Sequence, residues 1–235
     1  MVAEQLIEAL IAVPLLAATQ DAVFHGDPHA GNLLYDRARK KLVILDWALQ
    51  EHLGREQRRH LALLFLMVSL RDPLGVRNEI VALAQNHPRK ASREARIVQQ
   101  SVTNFLDAMP ASHVPSAADA MRLLEAVAMQ GIKFPGSLII MSKVMFTLEG
   151  ILTDIVGADT DVGLSVARHI TLHWLRHRAE FRSPLRTRDW LTLQCSALLF
   201  PSRMGIRWQQ TMLDRWLAPN PASSAASLDA AAIPR

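Results

Sequence analysis

The sequence predicts a mainly α-helical fold that contains one small β-hairpin. Past residue 50, apolar residues recur at three- and four-residue spacing through several long segments, which is the pattern of helices with a buried face. Two short apolar runs, 33–35 and 42–45, flank a polar turn and predict the hairpin. The chain has 235 residues, of which 50% are hydrophobic, so it can bury a sizeable core.

The helices are placed by apolar spacing and by capping residues. The first predicted helix covers residues 3–22, and its Glu4 and Glu8 stand where a secretory signal would need positive charge. Ser92 and Ser116 precede apolar-periodic segments and are the expected N-caps. The later helices are predicted at 55–70, 74–86, 92–109, 116–130 and 137–156.

The segment 137–156 is long and apolar, but Lys143, Glu149 and Asp154 interrupt it. It is therefore expected to be a buried core helix and not a membrane span.

Residues 158–217 are predicted to form a C-terminal helical extension. A helix at about 161–181 would carry three histidines on one face, but no glutamate completes a zinc motif, so a solvated or partner-facing surface is favoured. A short helix at 189–200 and an amphipathic helix at 203–217 follow. The tail 218–235 is rich in Pro, Ser and Ala and is expected to be disordered. The three histidines of the predicted helix at 161–181 are His169, His173 and His177.

Three polar residues around the hairpin indicate phosphoryl-transfer chemistry. Asp27 and Asn32 have the D-x-x-x-x-N spacing that kinases use for a catalytic base and a magnesium ligand. Asn32 precedes the first strand and Asp46 follows the second, so the hairpin would bring them to the same end. Carboxylate and amide oxygens suit Mg²⁺, and a nearby carboxylate can accept a proton from an attacking hydroxyl. The alternative is an ordinary turn, which Asp, Asn and Gly also form.

The same residues carry a family resemblance. Residues 25–32 have the sequence HGDPHAGN and residues 45–48 the sequence LDWA, which resemble the UbiB/AarF atypical kinase family. Weaker likeness at 53–73 and 134–150 extends the resemblance over roughly residues 5–155. It implies a protein-kinase-like C-terminal lobe over residues 1–157, with the catalytic loop at 25–32 and the metal motif at 46–48.

The resemblance also implies roles for individual residues. Asp27 would be the catalytic base, Asn32 and Asp46 would bind Mg²⁺ and nucleotide, and His25 and His29 would support the loop. The implied cofactors are ATP and Mg²⁺. The implied activity is phosphoryl transfer or ATP hydrolysis linked to ubiquinone biosynthesis or lipid homeostasis. In this sequence Trp and Ala follow Asp46 where the family has Phe and Gly, and alanine restricts the backbone there.

Two other functions remain open at this stage. A small-molecule kinase of the aminoglycoside or choline type would share the His-Gly-Asp loop and the Asp-Trp pair, although Pro28 and the segments 53–73 and 134–150 argue against it. A non-catalytic, pseudokinase-like interaction module is the second alternative. The family's N-lobe, with its nucleotide-contacting lysine and Ala-rich loop, has no counterpart in this sequence. We therefore expect the chain alone to bind Mg-ATP weakly or not at all.

Charge and composition limit the partners. A net charge of +4 and a pI near 9.7 permit contact with phosphate-bearing ligands or with an anionic membrane surface. The expected partners are a nucleotide, an anionic membrane surface, a lipid or quinone intermediate, and a separate polypeptide that carries the N-lobe. Nucleic acid is not expected, since aromatic residues are few and are not interleaved with basic ones. The single cysteine, Cys195, fits a reducing, cytoplasmic location, with peripheral membrane contact as an alternative.

Overall fold

The chain is seen in a computed structural model that describes residues 2–17, 19–85, 92–110, 113, 115–156 and 185–217. Helices dominate these residues, and the strands form two small antiparallel pairs, so the mainly α-helical prediction is confirmed. In chain order the elements are α1 (Val2–Ile7, a π-helical turn Glu8–Ala12, and Val13–Leu16), β1 (Asp21–His25), β2 (Leu33–Asp36), β3 (Lys41–Ile44), β4 (Gln50–Gly54), α2 (Arg55–Ser69), α3 (Pro73–Leu83), α4 (Arg93–Ala108), α5 (Ala117–Met129), α6 (Gly136–Val156) and α7 (Thr187–Leu217).

Helix α1 is shorter than the sequence predicts. The predicted helix ran to residue 22, but the helix ends at Leu16 and β1 begins at Asp21. Pro14 lacks an N–H group, and the helix widens into a π-helical turn just before it, where the Val13 N–H bonds to the carbonyl of Glu8. Beyond the helix end, the guanidinium group of the fully buried Arg58 donates to backbone carbonyls and turns the chain toward β1.

Two antiparallel strand pairs position the loops that matter for function. The predicted hairpin is confirmed as β2–β3, in which Leu33 pairs with Ile44. The second pair, β1–β4, was not predicted, and it places His25 opposite Gln50. Because β1 and β4 enclose the hairpin in the sequence, the loop after β1 and the loop after β3 lie side by side. The Gly26 N–H joins them through a 2.9 Å hydrogen bond to the carbonyl of Leu49.

The central helices follow the sequence closely. Ser92 and Ser116 cap α4 and α5 as predicted, each accepting a hydrogen bond from the N–H three residues later. Helix α6 presents Leu138, Met141 and Val144 to the core, which confirms the predicted buried helix. The core packs these helices around α2 and the apolar residues of the β1–β4 pair, above all Phe24 and Leu53, which are fully buried.

Helix α7 corrects a prediction. The sequence suggested separate helices at 189–200 and 203–217, but α7 continues through Pro201, although proline usually breaks a helix. Two side chains that follow Pro201 donate hydrogen bonds to carbonyls that precede it: the Ser202 hydroxyl to Leu199, and Arg203 to Ser196. Ser196 and Arg203 also contact Asp72 at the start of α3, so both halves of the helix are fixed to the same neighbour.

Some predictions concern residues that the structure does not describe. They are the helix at 161–181 with its three histidines, the tail 218–235, and the domain boundaries near 157 and 218. Within the described ranges, none of the helices combines the length and apolar character needed to span a membrane.

Candidate active site

The loop that contains Asp27 and Asn32 is held in shape by its own backbone. The chain leaves β1 at His25 and ends the loop in a short 3₁₀ turn, Ala30–Asn32, before β2. The Asp27 carbonyl accepts hydrogen bonds from the His29 N–H at 2.9 Å and from the Asn32 side-chain amide at 3.2 Å. Asn32 is buried and Asp27 is half-buried. The amide nitrogen of Asn32 is thus used within the loop, which leaves its Oδ1 in the role of an acceptor or metal ligand.

His25 connects this loop to the loop after β3. Its buried ring accepts a hydrogen bond at Nδ1 from the Asp27 N–H, at 3.1 Å. Since Nδ1 is the acceptor, the neutral ring carries its proton on Nε2, which lies 3.0 Å from the carbonyl of Leu45 and 2.9 Å from that of Asp46. One imidazole therefore fixes the backbone of both aspartates.

Asp46 lies directly after the hairpin in a left-handed backbone conformation with φ of 53°. Its exposed carboxylate accepts one hydrogen bond, from the Ala48 N–H at 3.3 Å. The Leu45 N–H bonds to the Asn32 carbonyl at 2.8 Å and extends the hairpin by one residue. The hairpin thus brings the two predicted magnesium ligands to adjacent positions of its open end, as the sequence predicts. The Trp47 ring packs edge-on against His25, with centroids 5.1 Å apart.

His29 lies at the exposed side of the loop. Its Nδ1 accepts a 3.1 Å hydrogen bond from the Gly31 N–H, and its Nε2 is 4.0 Å from Oδ2 of Asp27. It is near the predicted base, but it does not join the two loops as His25 does.

Sequence reasoning missed one residue of this site, Lys143 of α6. Its Nζ lies 2.8 Å from Oδ1 of Asp27, although the two residues are 116 positions apart. The hydrogen bond from Lys143 holds the pKa of Asp27 below its ordinary value of 3.8; the charges of Lys143, His29 and His25 act in the same direction, and burial opposes them. The signal in the sequence was a lysine inside an apolar helix.

The donor set fits a hard divalent cation. Across the described ranges, no three or more His, Cys, Asp and Glu side chains are grouped to hold a metal ion. Asn32 and Asp46 would instead offer two protein ligands, an amide oxygen and a carboxylate. Mg²⁺ often binds in this way, because it takes few protein ligands and keeps coordination positions for water and phosphate oxygens. These two residues would hold the ion, with Asp27 beside them.

Comparison with known proteins finds a family whose domain is similar to the part of the chain that contains these residues. Residues 1–80 match the ABC1 atypical kinase-like domain, and this part of the chain contains all four strands and every predicted site residue. Lys143 lies outside it.

Curated relatives match a longer part of the chain. The probable protein kinase UbiB of Xylella fastidiosa, in strains M23 and Temecula1, is 26% identical over 175 residues, which is 71% of this chain and 31% of the relative. The protein Activity of BC1 complex kinase 7, chloroplastic, of Arabidopsis thaliana is 28% identical over 138 residues, which is 58% of this chain and 20% of the relative. The chain thus spans about a third or less of these relatives. No solved structure gives a significant match.

The family match and the relatives agree with the loop sequence at 25–32 and with the mainly α-helical, kinase-like fold. They favour this family over the aminoglycoside- or choline-type kinases. Residues 1–80 of the chain are therefore similar to the ABC1 atypical kinase-like domain, and the predicted resemblance to the UbiB/AarF atypical kinase family is confirmed.

Proposed function

We propose that this chain supplies the magnesium- and phosphate-binding lobe of an atypical kinase or ATPase that uses ATP. The observation that carries the proposal is the junction at His25. One buried ring bonds to the backbone of both Asp27 and Asp46, which supports a site where the carboxylate of Asp27 would lie near two proposed metal ligands, Asn32 and Asp46. A chance turn of polar residues would not require this cross-connection.

In the proposed reaction Asp27 acts on the acceptor hydroxyl or on water. The acceptor oxygen forms a bond to the γ-phosphorus of ATP, the bond from that phosphorus to the bridging oxygen of ADP breaks, and the acceptor proton passes to the carboxylate of Asp27. Asn32 and Asp46 would hold Mg²⁺, which when bound supplies positive charge against the phosphate oxygens.

The low pKa of Asp27 is compatible with this role. A carboxylate held below its ordinary pKa is a weak base, so it would contribute little if the proton had to leave early. Phosphoryl transfer proceeds through a loose transition state in which the acceptor proton is lost late. Orientation of the acceptor is then the main task, and an ionised, fixed carboxylate suits it.

The biological setting is proposed from the family resemblance. By that resemblance, the activity would serve ubiquinone biosynthesis or lipid homeostasis, with a lipid or quinone intermediate and an anionic membrane surface as partners. A second lobe, on this or another polypeptide, would complete the nucleotide pocket, since positioning accounts for most of phosphoryl-transfer catalysis.

The proposed activity is tested by magnesium-dependent turnover of ATP labelled in the γ-phosphate, measured with the second lobe present and with matched aspartate variants of this chain. Asp46→Asn should lower turnover at least about 100-fold because a metal ligand is lost, and Asp27→Asn should lower it about 10²–10⁴-fold. Asp36→Asn is the control, since Asp36 lies at the opposite end of the same hairpin and bonds only to the turn at Ala38 and Arg39. Turnover that is unchanged in Asp46→Asn, or reduced equally in Asp36→Asn, would contradict the proposal.

A further inference from the structure

Helix α6 lies beyond the residues that match the family domain, yet it supplies a charged side chain to the site. We infer that Lys143 positions Asp27 and is also the group that binds the phosphate tail of a polyphosphate substrate. In the resting protein its ammonium group holds Asp27, and when polyphosphate enters it bonds to the phosphate oxygens. This inference deepens the proposed function and rests on it.

The contact has the geometry of an exchangeable ion pair. Lys143 Nζ is 2.8 Å from Asp27 Oδ1, and the two side chains are 57% and 38% exposed. Ion pairs this accessible contribute little to stability, so a strongly charged phosphate group can compete for the lysine. A lysine ammonium has three donors, and it can therefore keep one hydrogen bond to Asp27 while the others turn to phosphate.

The backbone behind Lys143 is fixed. Met141, Val144 and Leu148 of α6 are buried in the core, so Lys143 extends from a held helix. One turn earlier, Ile140 approaches the same loop: a Cβ atom built on Gly26 would lie 3.3 Å from Ile140 Cγ2. Helix α6 thus touches the candidate catalytic loop at two points, and only the flexible end of Lys143 needs to move.

The local charge explains why such a group is needed. The candidate site contains two acidic side chains, the half-buried Asp27 and the exposed Asp46. A bound polyphosphate would add further negative charge. Mg²⁺ bound at Asn32 and Asp46 would offset part of this charge. Lys143 would offset the charge on the side of Asp27, where the phosphate must approach the acceptor, and lysine is an established phosphate-binding residue as a point charge.

The first test measures the resting ion pair in the full chain. The carbon chemical shift of the Asp27 side-chain carboxyl group, recorded by NMR at a fixed pH of about 7, reports the contact that places Lys143 Nζ 2.8 Å from Asp27 Oδ1. This chemical shift should change in Lys143→Met and stay near the wild-type value in Lys143→Arg. Lys133→Met is the matched control, because Lys133 is exposed in the loop just before α6 and its backbone carbonyl accepts a hydrogen bond from the Gln85 N–H. An Asp27 carboxyl shift that is the same in Lys143→Met and wild type would overturn the positioning role.

The second test measures binding of tripolyphosphate with Mg²⁺ by calorimetry. Lys143→Met should weaken binding about tenfold, the loss of one charge-assisted contact, whereas Lys143→Arg should retain most of the affinity. Asp27→Asn should bind at least as tightly as wild type, because it releases the lysine from its resting partner. Unchanged or tighter binding in Lys143→Met would overturn the inference.

The same calorimetry separates this inference from the proposed function. Loss of the magnesium dependence in Asp46→Asn, together with unchanged binding in Lys143→Met, would leave the proposed function standing and remove the role of Lys143. Binding that shows no magnesium dependence in the wild type would instead count against the proposed function. Circular dichroism of each variant verifies that the fold is retained.

Discussion

At the scale of single residues, one imidazole decides how the candidate site is assembled. His25 is 2% exposed, and its two ring nitrogens bond to the backbone of Asp27 on one loop and of Leu45 and Asp46 on the other. Backbone hydrogen bonds also join the two loops, from the Gly26 N–H to the carbonyl of Leu49 and from the Leu45 N–H to the carbonyl of Asn32. His25 adds the side chain that contacts the backbone of both aspartates.

His25→Ala should lower the free energy of unfolding by about 2–4 kcal/mol, because it leaves buried or half-buried backbone groups without partners. Hydrogen exchange at the Asp27 amide should also accelerate. Urea unfolding measures the first effect and NMR the second. His29→Ala is the control, with an expected loss below about 1 kcal/mol because its side chain is exposed and accepts only the Gly31 N–H. Equal losses in the two variants would contradict the assignment.

The site residues differ in how far the sequence could predict them. Asp27, Asn32 and Asp46 were predicted because their spacing is local and the hairpin joins them. Lys143 was not, because its contact with Asp27 spans 116 residues and depends on how α6 packs. A charge within an apolar helix was the only sign. Of the three such charges, Glu149 also proves to have a tertiary role, bonding to Arg122 of α5 at 2.5 Å.

At the scale of elements, α2 and α3 pack closely enough that a glycine is required. A Cβ atom built on Gly75 of α3 would lie 2.5 Å from Sδ of Met67, and Met67 is 1% exposed in the core. Gly150 in α6 has no such neighbour within 4 Å. A side chain at position 75 would therefore collide with the core, whereas a side chain at position 150 would meet open space.

Gly75→Ala should destabilise the protein by about 1–3 kcal/mol, because Met67 must shift within a packed core. Gly150→Ala should stabilise it by about 0.5–1 kcal/mol, since alanine is the better helix former and meets open space. Urea unfolding of both variants at one pH provides the comparison. A stabilising Gly75→Ala would show that the helix contact is looser than described.

The start of α5 predicts a pH dependence. Burial raises the pKa of Asp119, but hydrogen bonds from Ser116 and His113 outweigh burial and hold that pKa below the ordinary value of 3.8. A carboxylate with a lower pKa in the folded state stabilises the protein above the unfolded pKa. That contribution is lost as pH falls through the folded value.

Asp119→Asn should therefore lower the free energy of unfolding by about 1–2 kcal/mol at pH 7, which is the range for loss of a helix N-cap. The cost should shrink below about pH 4, where the unfolded wild type takes up the proton. Urea unfolding of both proteins at pH 7 and pH 3 measures the difference. A cost that is the same at both pH values would mean that the charge of Asp119 contributes nothing.

Elements with local signals were predicted well, and those that depend on distant contacts were not. The N-cap residues Ser92 and Ser116 predicted the starts of their helices, and the polar turn between two apolar runs predicted the hairpin. The strand β1 was not predicted, and its first two residues fell within the predicted helix 3–22, because its pairing partner, β4, lies a full hairpin further along the chain. The end of α1 depends on Arg58 of α2, a residue that no local pattern connects to it.

At the scale of the whole molecule, α7 is joined to the kinase-like part through polar contacts. Arg59 of α2 forms a two-pronged contact with Asp189, at 2.7 and 2.5 Å, and Asp189 is 5% exposed. Glu56, one turn earlier, pairs with Arg186 at 2.7 Å, but both of these side chains are more than half exposed. The sequence placed a helix here but gave no sign of its partners.

These two ion pairs predict different coupling energies. A double-mutant cycle on Arg59→Met and Asp189→Asn should give a coupling of about 1–3 kcal/mol, because the pair is buried and two-pronged. The cycle on Glu56→Gln and Arg186→Met is the matched control, with a coupling below about 1 kcal/mol. Free energies of urea unfolding supply both cycles. A larger coupling for the exposed pair would contradict this description of how α7 docks.

The most direct test of the account is whether Asn32 and Asp46 bind one divalent cation together. Mn²⁺, which replaces Mg²⁺ at oxygen sites, broadens NMR signals of nearby nuclei and can be titrated into the wild-type chain. The account predicts early, joint broadening of the Asn32 side-chain amide and the Asp46 backbone amide, abolished in Asp46→Asn and retained in Asp36→Asn. Broadening at other residues, or broadening unchanged by Asp46→Asn, would contradict it.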